Sequence, residues 1–123
     1  MAPANFNAPA QVVIAGHRGA VEQACAEAKA LGAKRALPLA VSAPFHSSLL
    51  KPAGERLAIA LAGVRIAPPR VPVVNNIDVA VESEPSRIVD ALVRQSYGPV
   101  RWVEVVRKLG SLGVTHLIEF GRG

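Results

Sequence analysis

The feature that most constrains this chain is a hydrophobic period that keeps switching between extended runs and helical stripes. Gln11–Gly16 is a short β-rich run closed by glycine. From Gly19 the period turns helical: Val21, Ala24, Cys25, Ala28 and Leu31 fall on one face, with Glu22, Glu27 and Lys29 off it. Gly32 is placed to end that helix, and Ala33–Val41 returns to an extended apolar run. A second helix is expected after Pro44, with Leu50, Ala53, Leu57, Ala60 and Leu61 as its stripe. Ser47 or Ser48 would cap it, and Pro52 fits its first turn. Val64–Ala67 and Val71–Asn75 read as extended pieces, and their prolines make an edge strand or a loop-strand mixture the expectation. Ser83–Ser86 opens a third helix whose inner face uses Ile88, Ala91, Leu92 and Gln95, broken by Gly98-Pro99. The fourth helix carries Trp102, Val105, Val106, Leu109 and Leu112, ends at Gly113, and leads into Val114–Phe120 as a last short strand. Helices alternating with short strands predict an α/β fold. Ending directly after a strand, where a crossover should follow, and opening on half a unit, the sequence reads as a piece of a larger protein.

Composition narrows the class. Half of the 123 residues are apolar and 19% are charged, enough apolar material for a core, which excludes disorder. No apolar stretch approaches the ~18–20 residues of a membrane span, and Met1–Gln11 lacks the basic head and apolar centre of a secretory signal. No membrane partner is expected. A single cysteine, Cys25, permits no internal disulfide and no thiolate zinc site, so no metal and a reducing, cytoplasmic setting are expected. The net charge is +5, but the basic residues are spread singly and do not interleave with aromatics, which argues against a nucleic-acid partner.

Three histidines are the candidate acid–base groups. His17 falls in a turn between strand and helix and reads as a solvated loop residue; His116, in the last expected strand, reads as structural or half-buried. His46 stands after an extended run and a proline, just before a helix, where side chains of open α/β folds project into a crevice. The residues alone supply it with no nucleophile. Ser47 and Ser48 are explained by capping, and Ser111 in Gly110–Gly113 lacks the Gly-x-Ser-x-Gly frame of a nucleophile elbow. A phosphate loop is absent from the sequence as well.

Around His46 the sequence resembles a known family. Val41–Ala53, containing Pro44-Phe45-His46-Ser47-Ser48, is similar to the active-site histidine segment of malonyl-CoA:acyl-carrier-protein transacylases. Three further stretches agree in order and spacing: Ala4–Gly16 with its Asn5-x-Asn7-x-Pro9-x-Gln11 pattern, the Pro-rich Val71–Asp78, and Gln95-x-x-x-Pro99-Val100-x-Trp102. The resemblance covers essentially the whole chain. It implies a C-terminal fragment in which residues 1–41 are the later part of a small ferredoxin-like subdomain. Residues 42–123 would be part of a large α/β-hydrolase-like acyltransferase subdomain.

The function so implied is transfer of a malonyl group from coenzyme A to acyl carrier protein in fatty-acid biosynthesis, through a serine-bound acyl intermediate. His46 takes the place of the general base, as imidazole can near neutral pH. Gln95 matches the position whose backbone carbonyl orients that histidine. Asn5 and Asn7 match a segment near the pocket, and Phe45 resembles the Phe-His pair of malonyl-selecting domains, where a bulky ring would crowd an α-methyl group. No cofactor is implied, because the coenzyme A thioester and phosphopantetheine are substrates. The expected partners are malonyl-CoA and acyl carrier protein, and the parent is expected to be a monomer. The resemblance puts the elbow serine, the oxyanion-hole segment and the carboxylate-binding arginine ahead of residue 1, and the family's Gly-Pro-Gly reads Gly121-Arg122-Gly123 here. The fragment alone is therefore expected to be inactive. Two alternatives stay open: an acyltransferase domain of a polyketide synthase, and a non-enzymatic basic binding module on the same scaffold.

Overall fold

A computed structural model describes residues 1–121. Its only regular sheet among those residues is an antiparallel hairpin of β1 (Ala2–Ala8) and β2 (Gln11–Ala15), turned at Pro9-Ala10. The ladder pairs Ala2 with Ala15 and Ala8 with Gln11, and slips between Pro3 and Asn5. That slip suits proline, which has no N–H to give to a ladder. On its other edge β1 binds the loop before the last helix: Phe6 N donates to Val100 O at 2.8 Å, and Val100 N donates to Ala4 O at 2.7 Å.

Four helices follow: α1 (Arg18–Ala30), α2 (Lys51–Ala62), α3 (Pro85–Gln95) and α4 (Trp102–Ser111). Four of the five expected stripe positions of α1, Val21, Ala24, Cys25 and Ala28, are its half-buried positions, whereas Leu31, the residue after its last turn, is exposed. Gly32, one residue past the cap, takes φ +92°, the left-handed conformation that closes a helix. A single 3-10 turn, Ser48–Leu50, leads directly into α2, and Pro52 sits in the first turn. α2 packs on α3, while α4 packs on β1. The deepest side chains are Ala4, Ala91 and Val105, on β1, α3 and α4, with Ser47 beside the histidine segment.

Several expectations are corrected. Ala33–Val41 and Val114–Phe120 form no ladder and have no regular structure. A strand is defined by pairing with a neighbour about 4.8 Å away, and no described segment pairs with either of these two. His116 is therefore exposed in an irregular stretch, not half-buried in a strand. Of the two proline-rich pieces only Val74 makes a bridge, to Val81. Neither Ser47 nor Ser48 caps a helix; the Ser47 hydroxyl instead donates backwards to Pro44 O at 2.6 Å. The inner face of α2 runs through Leu50, Gly54, Leu57, Ala58 and Leu61, so Ala53 and Ala60 are exposed. Leu92, expected inside, is exposed as well. The match at Arg122-Gly123 lies outside the described residues.

Candidate active site

Two chain features bring His46 to the end of α3. The first is a close approach of helices. Gly54 on α2 has no room for a side chain: a Cβ there would meet the Tyr97 ring at 2.7 Å and Ser96 Oγ at 2.8 Å. α2 thus seats directly on the turn that ends α3, and the 3-10 turn at its head holds the histidine segment close by. The second is the backbone at His46, which takes φ +56°, a left-handed conformation uncommon for a residue with a side chain.

The result is a contact across 49 residues: His46 Nδ1 lies 3.1 Å from Gln95 O. That carbonyl is free because it belongs to the last turn of a helix. Its neighbours are occupied, Val93 O by Ser96 N and the Ser96 hydroxyl, and Arg94 O by Tyr97 N and Gly98 N. A carbonyl oxygen only accepts, so Nδ1 must carry the proton and donate it. In the neutral ring this leaves the lone pair on Nε2, the arrangement a general base needs. The Gln95 side chain also approaches, with Nε2 3.5 Å from His46 Nδ1.

Around this pair is a polar brace that the sequence reading did not pick out. Asn76 Nδ2 donates to Gln95 Oε1 at 2.8 Å, and Asn76 Oδ1 accepts from Arg101 N at 3.0 Å. The Asn76 loop is tied down on both sides. Asp78 N donates to Asn75 Oδ1 at 2.7 Å, and Arg94 grips the Asp78 carboxylate with two hydrogen bonds of 2.8 and 2.7 Å. Arg94 also binds Asp90 at 2.7 Å, and Arg101 donates to Ile77 O at 3.2 Å and to Glu104 at 2.8 Å. The Arg94 guanidinium holds the Asp78 carboxyl below the usual carboxylate range, and Arg101 does the same to Glu104. Both arginines are correspondingly pushed further toward the charged form. The available signal was Asn75-Asn76-Ile77-Asp78 itself, an Asx-turn pattern that fixes a loop by side-chain-to-backbone bonding.

The other expected site residues lie at different depths. Phe45, next to His46, is 48% exposed. Asn5 and Asn7 are half-buried on β1, the strand bound to Val100 on the far side of the Gln95–Arg101 turn. An apolar cavity of about 400 Å3 adjoins Gln95 and Asn76, walled by Ile66, Val73, Ile88 and Leu92. No cluster of three or more His, Cys, Asp or Glu side chains able to hold a metal occurs among the described residues.

No family model matches the chain. Individual relatives do, along its whole length: the malonyl CoA-acyl carrier protein transacylase of Salmonella typhimurium is 55% identical over all 123 residues. The chain is similar throughout to malonyl CoA-acyl carrier protein transacylases. The Bacillus subtilis transacylase is 48% identical over 120 residues, or 98% of the chain. Among solved structures, an acyl-carrier-protein S-malonyltransferase from Burkholderia pseudomallei 1710b superposes with a TM-score of 0.96 at 64% identity, covering 98% of this chain and 39% of that one. A malonyl-transacylase in complex with a type II polyketide synthase acyl-carrier protein superposes with a TM-score of 0.89 at 55% identity, covering 91% of this chain and 36% of that one. The chain spans about 40% of the length of the Salmonella transacylase it matches. The α/β architecture described above, a hairpin with four helices, is thus the one found in that part of these transacylases.

Proposed function

We propose that the protein carrying this chain transfers a malonyl group from coenzyme A to an acyl carrier protein in fatty-acid synthesis, with His46 as its general base. The observation that carries the reading is the 3.1 Å approach of His46 Nδ1 to the Gln95 carbonyl, in a chain 55% identical along its full length to a malonyl transacylase. The Nδ1–H tautomer leaves Nε2 free to take the proton of an attacking serine hydroxyl. No Gly-x-Ser-x-Gly elbow occurs in these residues, so the serine comes from elsewhere in the whole protein. Attack on the malonyl thioester gives a tetrahedral intermediate, and its collapse leaves the acyl group on serine. The protonated ring then returns the proton to the departing thiolate of coenzyme A, as in other histidine-assisted acyl transfers. The Gln95 carbonyl keeps Nδ1–H engaged while the ring is positively charged. In the second half His46 takes the proton of the phosphopantetheine thiol as that sulfur attacks the acyl-serine. Collapse of the second tetrahedral intermediate breaks the serine C–O bond, and the imidazolium returns its proton to the departing serine oxygen.

In this reading coenzyme A and phosphopantetheine are substrates, and no cofactor is used. Phe45 leaves no room for an α-methyl group and so favours malonyl, and Asn5 and Asn7 border the pocket. Residues 1–41 belong to a small ferredoxin-like subdomain and 42–123 to the large hydrolase-like one, in a monomeric cytoplasmic enzyme. No helix among the described residues is long and apolar enough to cross a membrane. The test is His46→Ala in the full-length protein. Loss of a general base costs ~10²–10⁴-fold in rate, whereas His17→Ala and His116→Ala should leave malonyl transfer intact. Unchanged turnover in His46→Ala would overturn the assignment.

A further inference from the structure

We propose that Asn76 is a positioning residue for the His46 base, acting through the side-chain amide of Gln95; the proposal rests on the reading of His46 given above. The orientation of each amide follows from what its neighbour can do. The backbone N–H of Arg101 only donates, so the Asn76 atom 3.0 Å from it is Oδ1. Asn76 Nδ2 must then face Gln95, and the atom it reaches at 2.8 Å is Oε1. That leaves Gln95 Nε2, a donor without acceptor capacity, 3.5 Å from His46 Nδ1. A donor cannot take the ring's proton. The Nδ1–H of His46 therefore has one acceptor, the main-chain carbonyl of Gln95 at 3.1 Å.

Turned over, the Gln95 amide would present Oε1 to the same ring nitrogen. The imidazole would then divide its time between two acceptors in two directions, and Nε2 would be aimed two ways. Asn76 prevents this, and it is itself immobilised. The Arg94–Asp78 pair pins its loop to α3, and the Arg101 contact with Ile77 O pins it to the start of α4. Gly98 lets the loop come this close: a Cβ there would lie 2.9 Å from Arg94 O and closer still to the Ile77 side chain.

The experiment uses the full-length protein, with malonyl transfer to acyl carrier protein as the assay and thermal melting to confirm folding. Asn76→Ala should lower kcat about tenfold to a hundredfold, the cost of a misaimed base rather than a lost one, with KM for malonyl-CoA unchanged. The decisive variant is Asn76→Ala combined with Gln95→Leu, which keeps the main-chain carbonyl and deletes the competing Oε1. Its kcat should rise above that of Asn76→Ala to the level of Gln95→Leu alone. A role confined to holding the loop would show no such rescue, because the contacts of Asn76 Oδ1 with Arg101 N and of Asn76 Nδ2 with Pro99 O, at 3.0 and 3.5 Å, stay lost. Nitrogen-15 NMR of His46 should report a single Nδ1–H tautomer in the unsubstituted protein and altered ring-nitrogen signals in Asn76→Ala. Should Asn76→Ala not fold, Asn76→Asp carries the test. It keeps the acceptor for Arg101 N, turns the Gln95 amide over, and should show the same kcat loss and the same rescue. Unchanged kcat in the folded variant, or a loss that Gln95→Leu does not rescue, overturns the role of Asn76. Full activity in His46→Ala overturns instead the reading on which it rests.

Discussion

The seat of α2 on Tyr97 makes Gly54→Ala a test of how the site is built. Two effects oppose each other. Alanine favours the helix over glycine by about 0.8–1 kcal/mol, so an exposed helical glycine would be improved. At Gly54 the new Cβ would lie 2.7 Å from two atoms of the Tyr97 ring and 2.8 Å from Ser96 Oγ, where carbon atoms settle at ~3.5–4.0 Å. The helix must then retreat by roughly 1 Å, and such overpacking costs about 1–3 kcal/mol. Net stability should fall by no more than about 2 kcal/mol, but activity should fall further. His46 is carried by the turn that opens α2, so the same retreat would stretch its 3.1 Å contact with Gln95 O beyond hydrogen-bond range. A displacement of that size costs on the order of 10²-fold in rate. Thermal melting and steady-state malonyl transfer on the full-length protein measure the two together. A Gly54→Ala protein with a raised melting temperature and unchanged kcat would refute the argument. Recovery of kcat on adding Tyr97→Leu would identify the ring as the obstacle.

Two further perturbations read the supports. Ser47 is buried and its hydroxyl donates to Pro44 O at 2.6 Å; Ser47→Ala should cost about 1–2 kcal/mol by stranding that carbonyl, seen as a lower urea midpoint at unchanged slope. Asp78 has its pKa lowered by Arg94, so the stabilisation is present above the ~3.9 of unfolded Asp and is lost as pH falls through the lower folded value. Because the pair is part-exposed, solvent screening limits the effect to about 1 kcal/mol, and the acid-side loss of stability should be reduced in Asp78→Asn.

Helices were legible because their signal is local. The stripe of α1 can be read from Val21, Ala24, Cys25 and Ala28 without knowing what lies opposite, and Gly32 and Gly113 mark two helix ends by taking left-handed φ. Strands were legible only in part, because a strand is a relation between two segments: the run Gln11–Gly16 does become β2, at Gln11–Ala15, but others did not follow their composition. Val114–Phe120 has the composition of a strand and no described partner. Ala2–Ala8 contains proline, asparagine and alanine, all poor strand formers, yet it becomes β1 because β2 lies on one edge and Val100 on the other. The site divides in the same way. Nothing local joins His46 to Gln95, 49 residues on; the expectation that they meet came from the resemblance alone. Asn76 escaped notice because its significance lies in which atom faces Arg101 N, and a sequence does not carry that.

The surface of the chain leads to a last prediction. A folded monomer of 12.9 kDa is expected to expose about 6,300 Å2, whereas this chain exposes 9257 Å2. The excess is about 3,000 Å2, several times the ~800 Å2 that each partner buries in a standard interface. Part of it lies where strands were expected and ladders are missing: Ile118 is 78% and Phe120 91% exposed, and Leu37, Leu39 and Val41 are also open, as are Leu31 and Ile59 on or beside the helices. Burying each such side chain is worth ~1.5–3 kcal/mol, against a net stability of only ~5–15 kcal/mol for a whole domain. Leaving this many uncovered removes the margin. These 123 residues, expressed alone, should therefore bind a hydrophobic dye, self-associate in light scattering and melt without a sharp transition, whereas the full-length protein should do none of these. A monomer melting cooperatively, with a heat-capacity change near the ~1.5–1.8 kcal/mol/K of a domain this long, would show that the exposed stretches find cover within the chain itself and would refute the reasoning.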